Sequence, residues 1–456
     1  MSARKVVGIV GAAIGGPTLG LQILSHPNLR RNFEPILIDR ISLLSCTKAD
    51  ELLPSGGAAV ALFANGLFPL YNLGLRAALD AVSSEMSSLT VWTADYGSVT
   101  SVGAYKRLNS VANPTWSHEL QTGVRAIERV ALQRLLVAEY ISRGGDARSG
   151  KQASSFSRLS NGQIRVTFDD HSELDVDLLV GADGAYSSVR RFILGGDEKR
   201  WLPHFTGITG FYGISRPTQT LAPNATASAG THAFWLKDGS LSVAPLPNGR
   251  LRWDLMVSEN AAPHPISPIE PSPEPTVPWA STIQPALYSR TTTIEILQKH
   301  AGVYHPSVGS FGALLDSAER IIQSPLRQRV WEEDEIQAPG VVLVGDAARV
   351  MLPSSGQGTG FAIEDATVLA NSLLAHACGE SFETGLPNAL EGYAKQRVPR
   401  SKKMAMVAYA SGHLSLGTKW YTRLVRGWGA RLSIGSNLKA RAGKDPWPFD
   451  FRSRLE

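Results

Sequence analysis

The chain predicts an α/β protein: a Rossmann-like, dinucleotide-binding domain with an inserted mixed or antiparallel β-sheet domain and helices at its C-terminal end. Three observations carry this. Lys5–Val10 is apolar at Val6, Val7, Ile9 and Val10 and runs into the turn Gly11-Ala12-Ala13-Ile14-Gly15-Gly16. Far down the chain a second apolar run, Val342-Leu343-Val344, ends in Gly345-Asp346. Between them, residues 200–300 alternate apolar and polar side chains. Continuous apolar runs suit strands buried on both faces of a parallel sheet, whereas alternation suits strands with two different faces.

The elements follow in order. A helix starts at Pro17 after the glycine turn, and residues 34–38 form the next strand, closed by Asp39-Arg40. An acid at the end of the second strand is placed to accept from ribose hydroxyls. Gly11 and Gly16 fill the outer places of G-x-G-x-x-G; Ala13 holds the middle place, where its methyl keeps a pyrophosphate further away. Residues 41–51 read as a polar loop, 67–82 as one helix with Leu67, Leu70, Leu73 and Leu75 inward, and 88–103 as the start of an antiparallel sheet. Residues 125–136 read as an amphipathic helix with Arg134 solvated. Residues 158–168 and 172–180 form a hairpin around Asp169-Asp170 and lead into Gly181-Ala182-Asp183-Gly184. There Asp183 is either a ligand carboxylate or a plain helix cap. Strands are expected at 208–215, 233–236, 241–246 and 251–257, with Asn248-Gly249 as a hairpin turn. The proline-dense stretch 263–278 is an extended loop, and helices are expected at 293–302, 311–322, 363–376 and 387–406.

The most informative string is the second Gly-Asp. After Gly345-Asp346 come Pro353, then Gly356-Gln357-Gly358-Thr359-Gly360, then Glu364-Asp365. A carboxylate directly after a buried strand lies at the strand's carboxyl edge, where ligands dock in open α/β sheets. Glycines at a helix start free backbone N–H groups at the end of the dipole that favours negative charge.

With 456 residues, 43% hydrophobic and 19% charged, the chain has the composition of a globular protein of two domains. A net charge of +5 suits anionic phosphates but forms no basic block with interleaved aromatics, so nucleic acid is not expected as a partner. Cys46 and Cys378 match no metal or disulfide spacing, which fits a reducing, cytoplasmic setting. Residues 6–24 carry no charge but hold too many glycines for a membrane span, and no integral span is expected.

Taken together, the glycine turn with Asp39, the segment around Arg129, the Asp183-Gly184 motif and the Gly345-Asp346 string resemble the single-component (group A) FAD-dependent monooxygenases. The likeness runs from about Lys5 to Arg400 and is nearest to the salicylate hydroxylase and fungal natural-product branch. It implies FAD held by Gly11, Ala13, Gly16, Asp39, Arg40, Arg129, Asp183, Asp346, Pro353, Gly356, Gly358 and Thr359. Gln133 stands where the family has a polar residue near the cofactor. The resemblance further implies that NADPH or NADH reduces the flavin and that O₂ then forms a C4a-hydroperoxyflavin, which hydroxylates or epoxidises an aromatic or polycyclic small molecule, in secondary metabolism. Arg349 departs from the histidine common at its place. The resemblance also implies a discontinuous FAD-binding domain over 1–85, 110–195 and 335–400, a substrate domain over 86–109 and 196–334, and a helical segment over 401–456.

Tyr212, Arg125 and His232 are candidate catalytic residues, with Trp235 beside them, because they fall on expected substrate-facing strands or near the flavin. No metal site is expected. Two alternatives stay open: an FAD-binding cyclase, dehydrogenase or reductase of the same fold that inserts no oxygen, and an NAD-dependent Rossmann dehydrogenase that uses only the first fingerprint.

Overall fold

The computed structural model describes residues 3–41, 59–94, 105–112, 117, 119–217, 230–264, 277–283, 288–305, 308–378, 382–417 and 422. A six-stranded sheet has the spatial order Gln337–Ala338, Val341–Leu343, Leu178–Gly181, Lys5–Val10, Phe33–Asp39, Asp146–Ser149. All its pairings are parallel except that of the edge strand Gln337–Ala338. The continuous apolar runs therefore sit where they were expected, in one core shared with helices Gly15–Ser25 and Gly358–His376, which pack against each other, and with a three-stranded sheet of Ala153–Arg158, Ile164–Phe168 and Glu173–Val176.

An eight-stranded sheet forms the second layer, in the order Arg349–Val350, Ala318–Val330, His204–Ser215, Leu251–Ser258, Gly239–Pro245, Thr231–Trp235, Ser88–Ala94, Tyr105–Ala112. It is mixed: Thr231–Trp235 pairs parallel with Ser88–Ala94, and the other pairs are antiparallel. Its alternation separates two faces. Phe211, Trp253, Leu255 and Val257 enter a second core with helices Arg290–His300 and Phe311–Asp316. Tyr212, Arg252, Asp254 and Met256 face the other way. The Asn248-Gly249 turn is present, both residues having positive φ (64° and 71°).

Several expectations are corrected. Arg125–Glu128 is a strand, paired with Ala59–Leu62 and Ser83–Glu85, and the helix begins only at Arg129. Tertiary pairing overrides the helical periodicity there. The helix expected over 311–322 ends at Asp316, and Ala318–Val330 joins the large sheet; β-branched Ile321 and Ile322 suit that place. The helix over 67–82 is two, Ala64–Asn72 and Arg76–Val82, separated at Gly74 with φ 81°. The strand over 158–168 is broken by the turn at Gly162, and the strand over 172–180 divides at Asp177, where Leu178–Gly181 leaves the hairpin for the parallel sheet. The last helix, Phe382–Leu416, runs on without a break at 401. Most of the loop at 41–51 and of the proline stretch, and nearly all of 418–456, lie outside the described residues. No helix among the described residues is long and apolar enough to cross a membrane.

Candidate active site

Three loops leave the parallel sheet at one edge. Val10 is in register with Gly181, and Gly181 with Leu343, so Gly11, Ala182-Asp183 and Gly345-Asp346 emerge side by side. Their approach is close enough to exclude side chains: a Cβ on Gly11 would stand 2.2 Å from the Ala182 carbonyl oxygen, and one on Gly16 2.0 Å from that of Gly11. From Leu343 the chain then passes directly to Arg349–Val350 in the large sheet. The Gly-Asp loop is thus a short covalent link between the two layers.

Between those layers lies a cavity of about 300 Å³. One wall comes from the nucleotide fold: Ala13, Arg129, Gly184, Asp346, Pro353 and the helix start at Gly358-Thr359. The other comes from the large sheet: Tyr212, Arg252, Asp254 and Met256.

The first wall is fixed by buried polar groups. Asp365 accepts from Gly345 N at 2.8 Å and from Arg397 Nε at 2.6 Å, and it pairs with Arg349. Glu364 accepts from Asn65 at 2.6 Å, Arg397 at 2.6 Å and Arg400 at 2.6 and 2.8 Å. The guanidinium carbons of Arg349, Arg397 and Arg400 lie 4.9, 5.1 and 4.8 Å from the Phe361 ring centroid. Burial alone pushes the Glu364 carboxyl up, but Arg397 and Arg400 outweigh it and hold it below its usual range. Arg190, stacked on Trp331 at 3.8 Å, donates to the Ala347 carbonyl at 2.8 Å. Gln133 donates to the Ala12 carbonyl at 2.8 Å, and Asp39 accepts from Ala12 N at 2.7 Å.

Two charges and a dipole face the cavity from this wall. Asp346 lies deep in the molecule, yet its side chain is accessible, because the surface it presents is the cavity wall. Enclosure by protein pushes its carboxyl up, and Arg349 and Arg129 oppose that. Arg129 is pulled down by burial and held up by Asp346 and Asp39, and an arginine stays charged throughout. The helix Gly358–His376 has Gln357 at its N-cap with no side-chain capping bond, so its first amides stay available at the cavity. A Cβ on Gly358 would meet nothing within 4 Å.

On the sheet wall, Tyr212 stands directly opposite Asp254, with Arg252 and Met256 on the same face. The Tyr212 ring lies across Gly210, where a Cβ would come within 2.4 Å of its hydroxyl. Burial, then Asp254, push its phenol far up, so it is neutral at physiological pH.

Of the residues the sequence singled out, Ala13, Arg129, Asp346, Pro353, Gly356, Gly358, Thr359 and Tyr212 meet at this cavity. Gly11 and Gly16 shape the turn behind it. Asp39 spends both oxygens on backbone amides, of Ala12 and Ile41, and Arg40 is exposed beyond it. Asp183 does not line the cavity: Oδ2 accepts from Ser188 N at 2.6 Å and Val189 N at 3.2 Å, as a helix cap, while Oδ1 is buried without a partner. Arg125 is turned away by its strand and bonds Ser83 at 2.7 Å and Asp80 at 3.3 Å. His232 packs beside His305 on the far side of the sheet and accepts from Trp92 at 3.1 Å; Trp235, on that strand, is also off the cavity. Sequence reading missed Arg252, Asp254, Arg190, Arg397, Arg400 and Asn65. The one available signal was the two-residue alternation 252, 254, 256 opposite Tyr212.

A family model described as an FAD binding domain matches residues 294–408. The chain is 26% identical over 447 residues to aurachin C monooxygenase/isomerase of Stigmatella aurantiaca, covering 98% of each chain. It is 25% identical over 424 residues to a salicylate hydroxylase of Pseudomonas putida, covering 90% of this chain and 85% of that one. Klebsiella pneumoniae HpxO, solved with FAD and uric acid, superposes with a TM-score of 0.70 at 17% identity, covering 96% and 95% of the two chains; that likeness is one of fold.

Proposed function

We propose that this chain is a flavin monooxygenase of aromatic compounds, with FAD as cofactor, like the group A FAD-dependent enzymes it is similar to, and that it hydroxylates or epoxidises an aromatic or polycyclic small molecule in the cavity between its two layers, with NAD(P)H as reductant and O₂ as oxidant, in secondary metabolism. The observation that carries this reading is the pairing of the two walls: an uncapped helix N-terminus, Asp346 and Arg129 face Tyr212, Arg252 and Asp254 across one cavity.

The residues present fit FAD. Bound there, FAD supplies the electron transfer and the activation of O₂. The chain's part is to bind and orient it. Asp346 would accept from a hydroxyl of the cofactor's sugar-alcohol chain, and Arg129 would neutralise phosphate charge. The turn Gly11–Gly16 lets backbone amides approach, with Ala13 holding the pyrophosphate slightly off. The amides of Gly358 and Thr359 would offer donors to negative charge on the cofactor. Pro353 and Gly356 would shape the loop against the cofactor, Asp183 keeps the loop at Gly184 in place by capping its helix, and Asp39 secures the turn that, with Arg40 nearby, would hold the adenosine end. Tyr212 and Met256, on the other wall, would help keep water from the cofactor. The working division is a discontinuous FAD-binding domain around an inserted substrate domain, with boundaries near residues 86 and 335. His232 and Arg125 carry no part in the reaction.

The test is direct. The purified protein is yellow with non-covalent FAD, and a substrate drives NAD(P)H-dependent O₂ uptake with one oxygen atom found in the product. Reduction and product formation without incorporation of labelled O₂ would favour a cyclase, dehydrogenase or reductase instead.

A further inference from the structure

The sheet wall holds a charge pair that the cofactor does not need. Arg252 and Asp254 are two residues apart on one strand, so both point to the same face, and both line the cavity. Asp254 is only 6% exposed. Arg252 donates to Asp254 Oδ2, its one bond among the described residues, and Arg252 Nε is buried without a partner. A guanidinium carries five N–H donors and a carboxylate about four lone-pair sites. Most of that capacity is therefore unused. The hydroxyl of Tyr212, opposite Asp254, also has no hydrogen-bond partner among the described residues. Unsatisfied groups of this kind, enclosed and aimed at a cavity, are the mark of a ligand that completes them.

Resting on the monooxygenase reading above, we propose that the Arg252–Asp254 pair orients the substrate and sets specificity, selecting a neutral aromatic that presents an N–H or O–H donor beside a carbonyl acceptor, as a carboxamide or lactam does, over an aromatic carboxylate. A lone arginine in a cavity takes a carboxylate with its two-pronged fork. Here one arm of the guanidinium already donates to Asp254, whose carboxylate stands beside the remaining donors, and the pair is neutral as a whole. An incoming carboxylate would meet a fixed like charge, which costs several kcal/mol when desolvated. A neutral donor–acceptor edge gives its proton-bearing group to Asp254 and its carbonyl to Arg252. The remaining charged side chains at the cavity, Arg129 and Asp346, are of opposite sign and add no net charge to it.

The test uses the FAD-bound enzyme and two isosteric probe pairs, salicylamide against salicylate and 1-hydroxy-2-naphthamide against 1-hydroxy-2-naphthoate, with affinity read at neutral pH by calorimetry. The amide of at least one pair binds tighter by tenfold or more, a difference of about 1.4 kcal/mol. Asp254→Asn frees the arginine and moves the ratio toward the carboxylate by a similar factor. The double variant Arg252→Gln/Asp254→Asn leaves no lone buried charge and abolishes the discrimination; it carries the test if the single variant fails to fold. Carboxylates binding as tightly as amides to the native enzyme, a ratio unmoved in the variants, or no binding of any of the four probes overturns the proposal. Oxygen incorporation is scored separately: amide preference without oxygenation would sink the monooxygenase reading alone, and oxygenation without the preference would sink this inference alone.

Discussion

The two walls of the cavity are built by different means. The cofactor-side wall is made of backbone: three loop starts at one sheet edge, and a helix start, all held from behind by Asp365, Glu364 and their arginines. The sheet wall is made of side chains whose backbone is an ordinary antiparallel ladder. Backbone shape demands particular residue types at particular places, chiefly glycine and short acids. A ladder accepts almost any residue on a given face. The first wall is thus constrained by geometry and the second is free to follow a substrate.

The comparison breaks most visibly through the network behind the first wall. Arg397 is buried and bonds both Glu364 and Asp365. Arg397→Leu strands two enclosed carboxylates and is expected to cost about 3–5 kcal/mol of stability, with FAD lost in parallel. Chemical denaturation gives the number. A cost under about 1 kcal/mol would mean that Arg349 and Arg400 suffice, and that the wall does not depend on this arginine.

Next comes the wall's own acid. Asp346→Ala removes the carboxylate that faces the cavity and should weaken FAD by about 1–3 kcal/mol, the value of a charged acceptor. Asp39→Ala should weaken FAD less, because Asp39 acts by securing the Ala12 and Ile41 amides. Flavin fluorescence titration ranks the two. Equal losses would show that the turn matters as much as the acid.

The same contrast explains what was legible in the sequence. The parallel sheet, the Gly-Asp loop and the helix at Gly358 could be read because Gly11, Gly16 and Gly345 occupy positions where a side chain would clash or where φ is positive. Asp183 was read for its motif, but a carboxylate a few positions before a helix also serves as a cap, and spacing does not tell the two apart. Arg125 looked helical because its strand is short and buried on one side only by partners distant in sequence, Ala59–Leu62 and Ser83–Glu85. His232 fell one strand position out of phase with the cavity face, and a shift of one residue reverses the direction of a side chain. Arg397 and Arg400 gave no signal at all, since their partners are more than thirty positions away.

The far side of the large sheet offers a pH handle that leaves the first wall alone. His305 is 1% exposed and packs against His232, with ring centroids 5.1 Å apart. Burial, then His232, push its pKa down to about 3 from 6.5. The unfolded chain therefore binds a proton between those values that the folded chain refuses. Stability is full above pH 6.5 and falls as pH drops toward 3, by up to about 1.4 kcal/mol per pH unit. In His305→Phe that slope should flatten while FAD affinity at neutral pH stays unchanged. Urea melts at several pH values check both halves; an unaltered slope would assign the acid sensitivity to other groups.

The smallest effect tests whether the first wall acts through its dipole. Gly358 opens the helix at the cavity, its φ is not in the left-handed region, and a Cβ there would meet only open space. Gly358→Val should therefore fold normally, because no backbone strain or protein clash opposes it. The added methyls would enter the space where the ring's pyrimidine edge is proposed to lie and hold it off the amides at the helix start. Anion stabilisation at a helix N-terminus is worth about 0.3–1 kcal/mol and fades within one turn. Losing it lowers a two-electron reduction potential by roughly 6–20 mV, since about 30 mV corresponds to 1.4 kcal/mol. Reduction by NAD(P)H should slow accordingly, while oxidised FAD, which bears no such charge, is held nearly as before. Potentiometry on the FAD-bound variant separates the cases. A lower potential with near-native FAD affinity means that this helix end acts on the reduced ring. Weaker FAD binding at an unchanged potential means that the introduced side chain only crowds the cofactor, and an unchanged potential with unchanged affinity means that the loop faces away from it.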